Sequence, residues 1–480
     1  MKTVIFDTLG CLRNRALIRT LSTVTFLLLA SAMAGCASLD PEPSFQKVAE
    51  AVHQRSGQSI SWTVDETDRM AALDALRQPL TLENAVRVAL LNSPALQAEY
   101  TRLGIAQAEF VQAGLMRNPV FAASYRDGRF EDTLDLGLSI DFLDVFLIPV
   151  RKRQAAAGQK AAELSVTEAV MDRVGQVRQS WIAAVAARQS AANIRENQKL
   201  LESIDGISEA MLKAGNITLL ERQRSRQIMA ENQMLLDEAE FAAANAKDAL
   251  AVVMGAWGGP DWALPSALPE MPESETSIAT VENEAVDRSL ELEIARERIT
   301  RAAAGLDLVD RSRLVPTLEV GWVAEREDDL WSNGPALAFA LPILDTGRAV
   351  SSMQLHRLEK LRREYLQLEI EIRAAARRVQ RADALRRANV RYLNEVVLPL
   401  SEERIRETRL HYNAALIGIA EVVQARLDQS RDYSTYVQAL ARYWSARESQ
   451  LALLQGVRLA DEREFIAVSK PESESEMGGH

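Results

Sequence analysis

The sequence predicts a mainly α-helical protein with a membrane β-barrel portion, in which long coiled-coil hairpins and four β-strands are arranged as two internal repeats. Three observations carry this. Proline is missing from two very long stretches, between Pro149 and Pro260 and, apart from Pro399, between Pro342 and Pro471. Apolar residues in those stretches recur at coiled-coil spacing. Four short runs elsewhere alternate between apolar residues and polar or small ones.

The chain begins with a segment that is not mature structure. Arg13, Arg15 and Arg19 precede the apolar run Val24 to Ala32, and Met33-Ala34-Gly35-Cys36 follows. Small residues before a cysteine resemble a lipobox, where the cysteine is acylated and becomes the first mature residue. Residues 1–35 are therefore read as a lipoprotein signal peptide and Cys36 as a lipidation site. Ala37 rather than Asp follows, which in lipoproteins of this kind implies sorting to the outer membrane. The net charge is −11. Cleavage removes Lys2, Arg13, Arg15, Arg19 and Asp7, so the mature charge is −11 − 3 = −14. An acidic balance argues against nucleic-acid binding, which wants a basic face. Cys11 leaves with the signal and Cys36 carries lipid, so no disulfide or cysteine–metal site is expected. No later stretch approaches the ~18 to 20 apolar residues of a membrane-spanning helix. Any crossing must use strands.

Residues 36–78 read as an N-terminal anchor segment with a short helix or two. Residues 79–256 form a first repeat, with strands near 117–126 and 133–143 and long helices near 151–254. Residues 257–280 hold Gly258, Gly259, Pro260, Pro265, Pro269 and Pro272 and read as a linker. Residues 281–458 form a second repeat, with strands near 317–325 and 334–344 and long helices near 348–458. Residues 459–480 read as a disordered acidic tail. The repeat rests on register. Pro119 and Pro316 are 316 − 119 = 197 apart, as are Arg151 and Arg348, each pair opening equivalent strands or helices. Ile217, Leu219 and Glu221 match Ile417, Ile419 and Glu421 at a spacing of 200.

One helical stripe is Val170, Val174, Val177, Trp181, Val185; another is Leu361, Tyr365, Leu368, Ile372, Ala375, Val379. Helices of ~50 residues would reach ~75 Å. Such stripes alone mean only core, and a soluble coiled-coil rod would show them too. The strands change the reading. Leu134, Leu136, Leu138, Ile140 and Phe142 alternate with Thr133, Asp135, Gly137, Ser139 and Asp141. Leu318, Val320 and Trp322 alternate with Thr317, Glu319 and Gly321, and Leu337, Phe339, Leu341 and Ile343 with Ala336, Ala338 and Ala340. Phe121, Ala123 and Tyr125 give a weaker run. Each approaches the ~9 to 11 residues of a tilted membrane strand, with lipid on one face and water on the other. Four strands cannot close a barrel, for which ~8 is the lower limit, and lipid forbids open edges. The chain must oligomerise if these strands span a membrane.

The sequence resembles the TolC-like outer-membrane efflux proteins, particularly their lipoprotein members, over about residues 78–458. The matching pieces are Leu80-Thr81-Leu82-Glu83-Asn84-Ala85 with Asn92-Ser93-Pro94, the turn Leu341-Pro342-Ile343-Leu344-Asp345-Thr346-Gly347-Arg348, and the segments Gly215-Asn216-Ile217 and Ala415-Leu416-Ile417. The resemblance implies a homotrimer with a twelve-stranded β-barrel continued by an α-barrel tunnel through the periplasm. It implies as partners a periplasmic adaptor protein and an inner-membrane pump docking at the membrane-distal tip. It places Gly215, Tyr412, Ala415 and Ile417 at that tip, with Ala415 where the turn glycine is usual and Ile417 where a gating arginine is usual. It places Glu221, Glu421, Gln424 and Asp428 at the tunnel constriction. Residues at positions 421, 424 and 428 also share one helical face by spacing, and threefold repetition of their carboxylates would favour cations.

The expected function is a passive exit duct in the bacterial outer membrane, with no cofactor and no chemistry of its own. The rival from another class is a lipid-anchored coiled-coil adaptor without a pore, which leaves the paired strand runs unexplained. An enzyme is disfavoured: His53, His356, His411 and His480 are scattered, and no nucleophile or metal motif is present.

Overall fold

The computed structural model describes residues 38–62, 79–127, 132–256, 262–272, 281–313, 317–327 and 330–459. Cys36, the signal segment and residues 460–480 lie outside the described residues, while Leu459, the first residue of the expected acidic tail, is buried. In chain order the elements are α1 (Glu42–Ser56), α2 (Leu82–Asn92), α3 (Pro94–Ala113), β1 (Val120–Arg126), β2 (Thr133–Asp141), α4 (Leu143–Lys213) and α5 (Leu219–Met254). The order then repeats as α6 (Val281–Arg288), α7 (Leu290–Ser312), β3 (Leu318–Glu327), β4 (Leu330–Phe339), α8 (Arg348–Tyr392), a π-helical turn (Leu393–Val397), α9 (Leu398–Asn413) and α10 (Ile419–Leu454).

Local chemistry sets the boundaries. Thr81 and Ser289 cap α2 and α7 through their hydroxyls, which accept from the Asn84 and Leu292 N–H groups. Pro94 opens α3, where a missing N–H costs nothing. α4 runs for 71 residues, or ~105 Å. Its stripe Val170, Val174, Val177, Trp181 and Val185 is buried throughout, as the spacing predicts. The second stripe is buried at Ile372, Ala375 and Val379 and half-buried at Leu361, Tyr365 and Leu368.

Four features depart from the sequence reading. First, α4 begins at Leu143 rather than at Arg151, with Pro149 inside it. Phe142 ends the alternation in a turn, and Leu143 to Val150 continue the apolar character as helix, which period-2 reading cannot separate from strand. Second, β4 spans Leu330–Phe339 instead of 334–344. Leu341 and Ile343 lie beyond it, since Pro342 cannot donate to a ladder. Third, the helical run of the second half is not uniform. Pro399 lacks an N–H, and its ring would crowd the carbonyl four residues back at Glu395. The chain widens into a π-turn just ahead of it, where Leu398 N–H reaches back to the Leu393 carbonyl. Fourth, the proline-rich connector is packed in its described part. Trp262, Leu264 and Leu268 are buried in the main core. Leu80 N–H donates to the Ala263 carbonyl at 2.8 Å, and Trp444 Nε1 to the Pro269 carbonyl at 2.9 Å.

That core lies mid-molecule, where α1, α2, α3 and the connector surround the middle of α4 and the C-terminal parts of α5 and α10. A smaller cluster joins Val281, Ala285 and Leu292 to Ile372, Ala376 and Leu453. α1 is fully integrated through Phe45, Val48 and Val52. From its last turn, Arg55 Nη1 donates to the Arg288 carbonyl at 2.7 Å and the Gln455 carbonyl at 2.9 Å, while Nη2 lies 3.3 Å from Glu293. Gly456, at φ 99°, lies against this knot; a Cβ there would come within 2.2 Å of the Arg288 carbonyl oxygen.

Candidate functional site: a one-sided strand wall and two helical tips

The four strands form one antiparallel sheet in the order β1-β2-β3-β4, so β2 and β3 join the two halves of the chain. Directly paired residues share a face. One set of cross-strand rows reads Ile140–Val320–Leu337, Phe121–Leu138–Trp322–Pro335 and Ala123–Leu136–Ala324–Asn333. The alternate set reads Asp141–Glu319–Ala338, Val120–Ser139–Gly321–Ala336, Ala122–Gly137–Val323–Gly334 and Ser124–Asp135–Glu325–Ser332. Most of the large apolar residues of the four strands therefore lie on one face, and charged or small residues dominate the other, with Val120, Val323 and Leu330 among them. The apolar face ends in a row of Tyr125, Leu134, Arg326 and Trp331, an aromatic and cationic rim of the kind found at a membrane interface. Gly321 is needed where two backbones approach, since a Cβ would come within 2.6 Å of the Leu138 carbonyl oxygen. β1 and β4 each have one unpaired edge within the chain.

At the junction of sheet and helices, the Asp144 carboxylate is buried. It accepts from the Arg117 N–H at 2.9 Å and lies 3.3 Å from Arg151 Nη1. Arg117 also pairs with Asp141 at 3.0 Å. Sequence reading missed this node because its members are scattered over three elements.

The hairpin tips lie at the other end of the long helices. α4 turns into α5 through Gly215, at φ 76°, with Asn216 N–H donating to the Met211 carbonyl and Gly215 N–H to that of Leu212. α9 turns into α10 the same way: Leu416 N–H donates to the His411 carbonyl and Ala415 N–H to that of Tyr412. Ala415 sits at φ 56° and is the one non-glycine at positive φ among the described residues. Both turns are therefore helix-ending motifs that favour glycine, and the second is made with alanine at a cost in strain.

The acidic residues of the two tips differ in what they touch. Glu221 closes a capping box: its carboxylate accepts from the Thr218 N–H at 2.7 Å and hydroxyl at 2.9 Å. Those bonds, the backbone one foremost, hold its pKa below the usual carboxylate value. In the second tip Gly418 stands in place of that threonine, so Glu421 has no hydroxyl partner and its Oε2 lies over Gly418. Gln424 Nε2 donates to Asp428 at 3.0 Å, so these two share a face as their spacing predicts. Asp428 is also flanked by Arg431 at 3.1 Å and Arg404 at 3.8 Å. Tyr412 and Ile417 are half-buried, and Ile217 takes the position of Ile417 in the first tip. Arg222 ties the first hairpin together through the Asp205 carbonyl at 3.0 Å and Glu209 at 3.3 Å.

A four-stranded sheet, mostly apolar on one face, open at both edges and continued by long paired helices, is the architecture of this chain. Solved structures share that architecture. The outer membrane protein VceC of Vibrio cholerae superposes with a TM-score of 0.63 at 18% identity, covering 78% of this chain and 96% of that one. The open-state MtrE outer membrane channel of Neisseria gonorrhoeae gives 0.65 at 14% identity, covering 78% and 89%. The outer-membrane channel OprN gives 0.66 at 15% identity, covering 83% and 94%. At such identities the likeness establishes the fold. No family model matches the sequence, and no curated protein matches it.

Proposed function

We propose that three copies of this chain form a passive exit duct through the bacterial outer membrane and periplasm, fed by an inner-membrane pump through a periplasmic adaptor. The observation that carries this is the sheet. A four-stranded sheet with one apolar face and two open edges cannot stand alone in lipid. Three copies supply 3 × 4 = 12 strands, enough to close a barrel around the polar face. The long helices then continue the barrel as a tunnel. The structural likeness to proteins described as outer-membrane channels supports the same reading. The chain supplies no energy and no chemistry in this role.

Within the reading, Cys36 carries the lipid anchor, residues 1–35 are removed, and 79–256 and 281–458 are the two repeats. Gly215, Tyr412, Ala415 and Ile417 form the surface met by the adaptor. Glu421, Gln424, Asp428 and Glu221 line the constriction, with Glu421 foremost because neither a hydroxyl nor a cation holds it among the described residues. The deciding experiment is conductance of the purified protein in a planar bilayer, with light scattering of the same sample in detergent. A trimer with discrete unitary conductance is expected. A stable monomer, or a trimer that never conducts, would leave the pore-free scaffold as the better reading. Mass spectrometry of the mature N-terminus tests the anchor separately.

A further inference from the structure

The apolar surface does not stop where the strands stop. α4 opens with Leu143 to Val150, and within it Val145 and Phe146 are exposed, Phe146 packing edge-on against Phe142 with ring centroids 5.7 Å apart. The loop after β4 exposes Leu341, Ile343 and Leu344, with relative exposures of 64%, 75% and 101%. The first apolar segment is followed at once by Arg151-Lys152-Arg153, and the second reaches Arg348 after the turn Asp345-Thr346-Gly347, whose Asp345 carboxylate accepts from the Gly347 N–H at 2.8 Å.

Contacts with α7 fix the relative level of these cations. Arg153 pairs with Asp307 at 2.7 Å, and Ser351 donates to Asp310 at 2.7 Å. Asp307 and Asp310 are one helical turn apart, and Arg348 is one turn beyond Ser351, so Arg153 and Arg348 lie within ~9 Å along the axis. Lys152 and Arg348 are exposed and have no carboxylate partner among the described residues; Lys152 Nζ sits 5.6 Å from the Phe110 ring centroid. Arg117 pairs with Asp141 and stays largely exposed. The end of the sheet is thus bordered by an apolar band and then by a level of cations. This is the order in which a lipid leaflet presents acyl chains and headgroups.

We propose that this collar seats the periplasmic leaflet of the outer membrane. Phe146, Ile343 and Leu344 enter the acyl boundary, and Lys152, Arg153, Arg348 and Arg117 engage the phosphates of anionic phospholipid. Charge complementarity and continuity with the lipid-facing sheet select this occupant. The inference rests on the outer-membrane duct reading and adds a lipid preference to it.

The test uses the full-length protein, delipidated and reconstituted in bilayers of phosphatidylethanolamine with either phosphatidylglycerol or phosphatidylcholine. Retained lipid is counted by native mass spectrometry and trimer disassembly is followed thermally. Wild type is expected to retain phosphatidylglycerol over phosphatidylcholine and to be stabilised by it. Retention should fall about fivefold for each charge removed in Lys152→Gln and Arg348→Gln, and the double variant should lose the preference. Lys199→Gln, far along α4, should behave as wild type. Equal retention of the two lipids, or an unchanged preference in the double variant, overturns the proposal. So does equal stabilisation by inorganic phosphate, which would make the cations a free-anion site. If Leu344→Ser weakens the trimer while leaving acyl-chain contacts intact, the loop is packed between copies and the apolar half of the collar is wrong. Conductance separates the layers of argument: a protein that conducts without lipid preference sinks the collar alone, whereas one that conducts in neither bilayer sinks the duct.

Discussion

Replacing Leu138 by arginine tests the orientation of the sheet. Leu138 lies in the row Phe121–Leu138–Trp322–Pro335, between the rim at Leu134 and the last strand residue, Asp141, and so close to the middle of the apolar band. It is 53% exposed in the protomer, so lost packing within the chain is a small part of the effect. An arginine at the bilayer midplane of a barrel costs ~2 to 4 kcal/mol, hence ~6 to 12 kcal/mol for three chains, against ~5 to 15 kcal/mol for the stability of a typical domain. Leu134→Arg, at the rim with Arg326 and Trp331, should cost only ~0 to 1 kcal/mol per chain. Asp135→Arg points to the opposite face. It gives up a 2.9 Å bond from Ser124 and a 2.7 Å pair with Arg126 but gains Glu325 as a neighbour, for a net ~0 to 1 kcal/mol in water. The assay is refolding into vesicles, scored by the heat-resistant trimer band and the urea midpoint. The expected order of damage is Leu138, then Leu134 and Asp135 together. Should Asp135→Arg prove as harmful as Leu138→Arg, the lipid and lumen faces have been assigned wrongly.

Ala415→Gly should relieve left-handed strain of ~1 kcal/mol, offset in part by glycine's greater unfolded-state freedom, leaving ~0.5 kcal/mol of local stabilisation. Hydrogen exchange at the Leu416 N–H should slow about twofold, and faster exchange would show that the turn is not strained. Glu421→Gln should lower cation preference, read from the reversal potential under a salt gradient. Asp428→Asn should do so less, because Arg404 and Arg431 already flank that carboxylate; the reverse order would move the constriction toward Asp428. The first tip should respond to acid. Glu221 is depressed in the folded state by its bonds to Thr218. Its contribution is therefore complete above the ordinary carboxylate pKa and is lost as pH falls through the lower folded value. Thr218 amide protection that persists at pH 5 and disappears in stronger acid is the expected profile, and Glu221→Ala should abolish it.

The strand faces and the heptad stripes were legible because each rests on a single period, and one period fixes one face. The tip turns at 215 and 415 were legible from the resemblance, and the match of Ile217, Leu219 and Glu221 to Ile417, Ile419 and Glu421 kept the two in one register. What sequence misjudged were changes of period within an apolar run. Phe142 to Val150 is apolar apart from Asp144, so composition alone does not mark the point where strand becomes helix. Leu341 and Ile343 keep the rhythm of β4 after Pro342 has ended it. The π-turn depends on where Pro399 meets an otherwise continuous helix, and Pro149 is accommodated in α4 without one. Packing of the connector was hidden because prolines signal irregular backbone and say nothing about burial. The Asp144 node and the collar needed three dimensions: the node draws on three elements of the first half, and the collar on both halves of the chain. Glu221 and Glu421 look equivalent in sequence, and only the threonine or glycine three residues earlier separates a capped carboxylate from an uncapped one.

The Arg55 knot has a consequence in time. Its guanidinium joins α1 to carbonyls 233 and 400 residues further along, at the end of α6 and just after α10. Contacts that close such long loops form late. α1 packs mainly on α4 and α3 through Phe45, Val48 and Val52, so what waits for the end of the chain is the Arg55 anchor alone. Only a chain present beyond its last helix can complete these bonds, so a copy ending before Gln455 would hold α1 without the second of them.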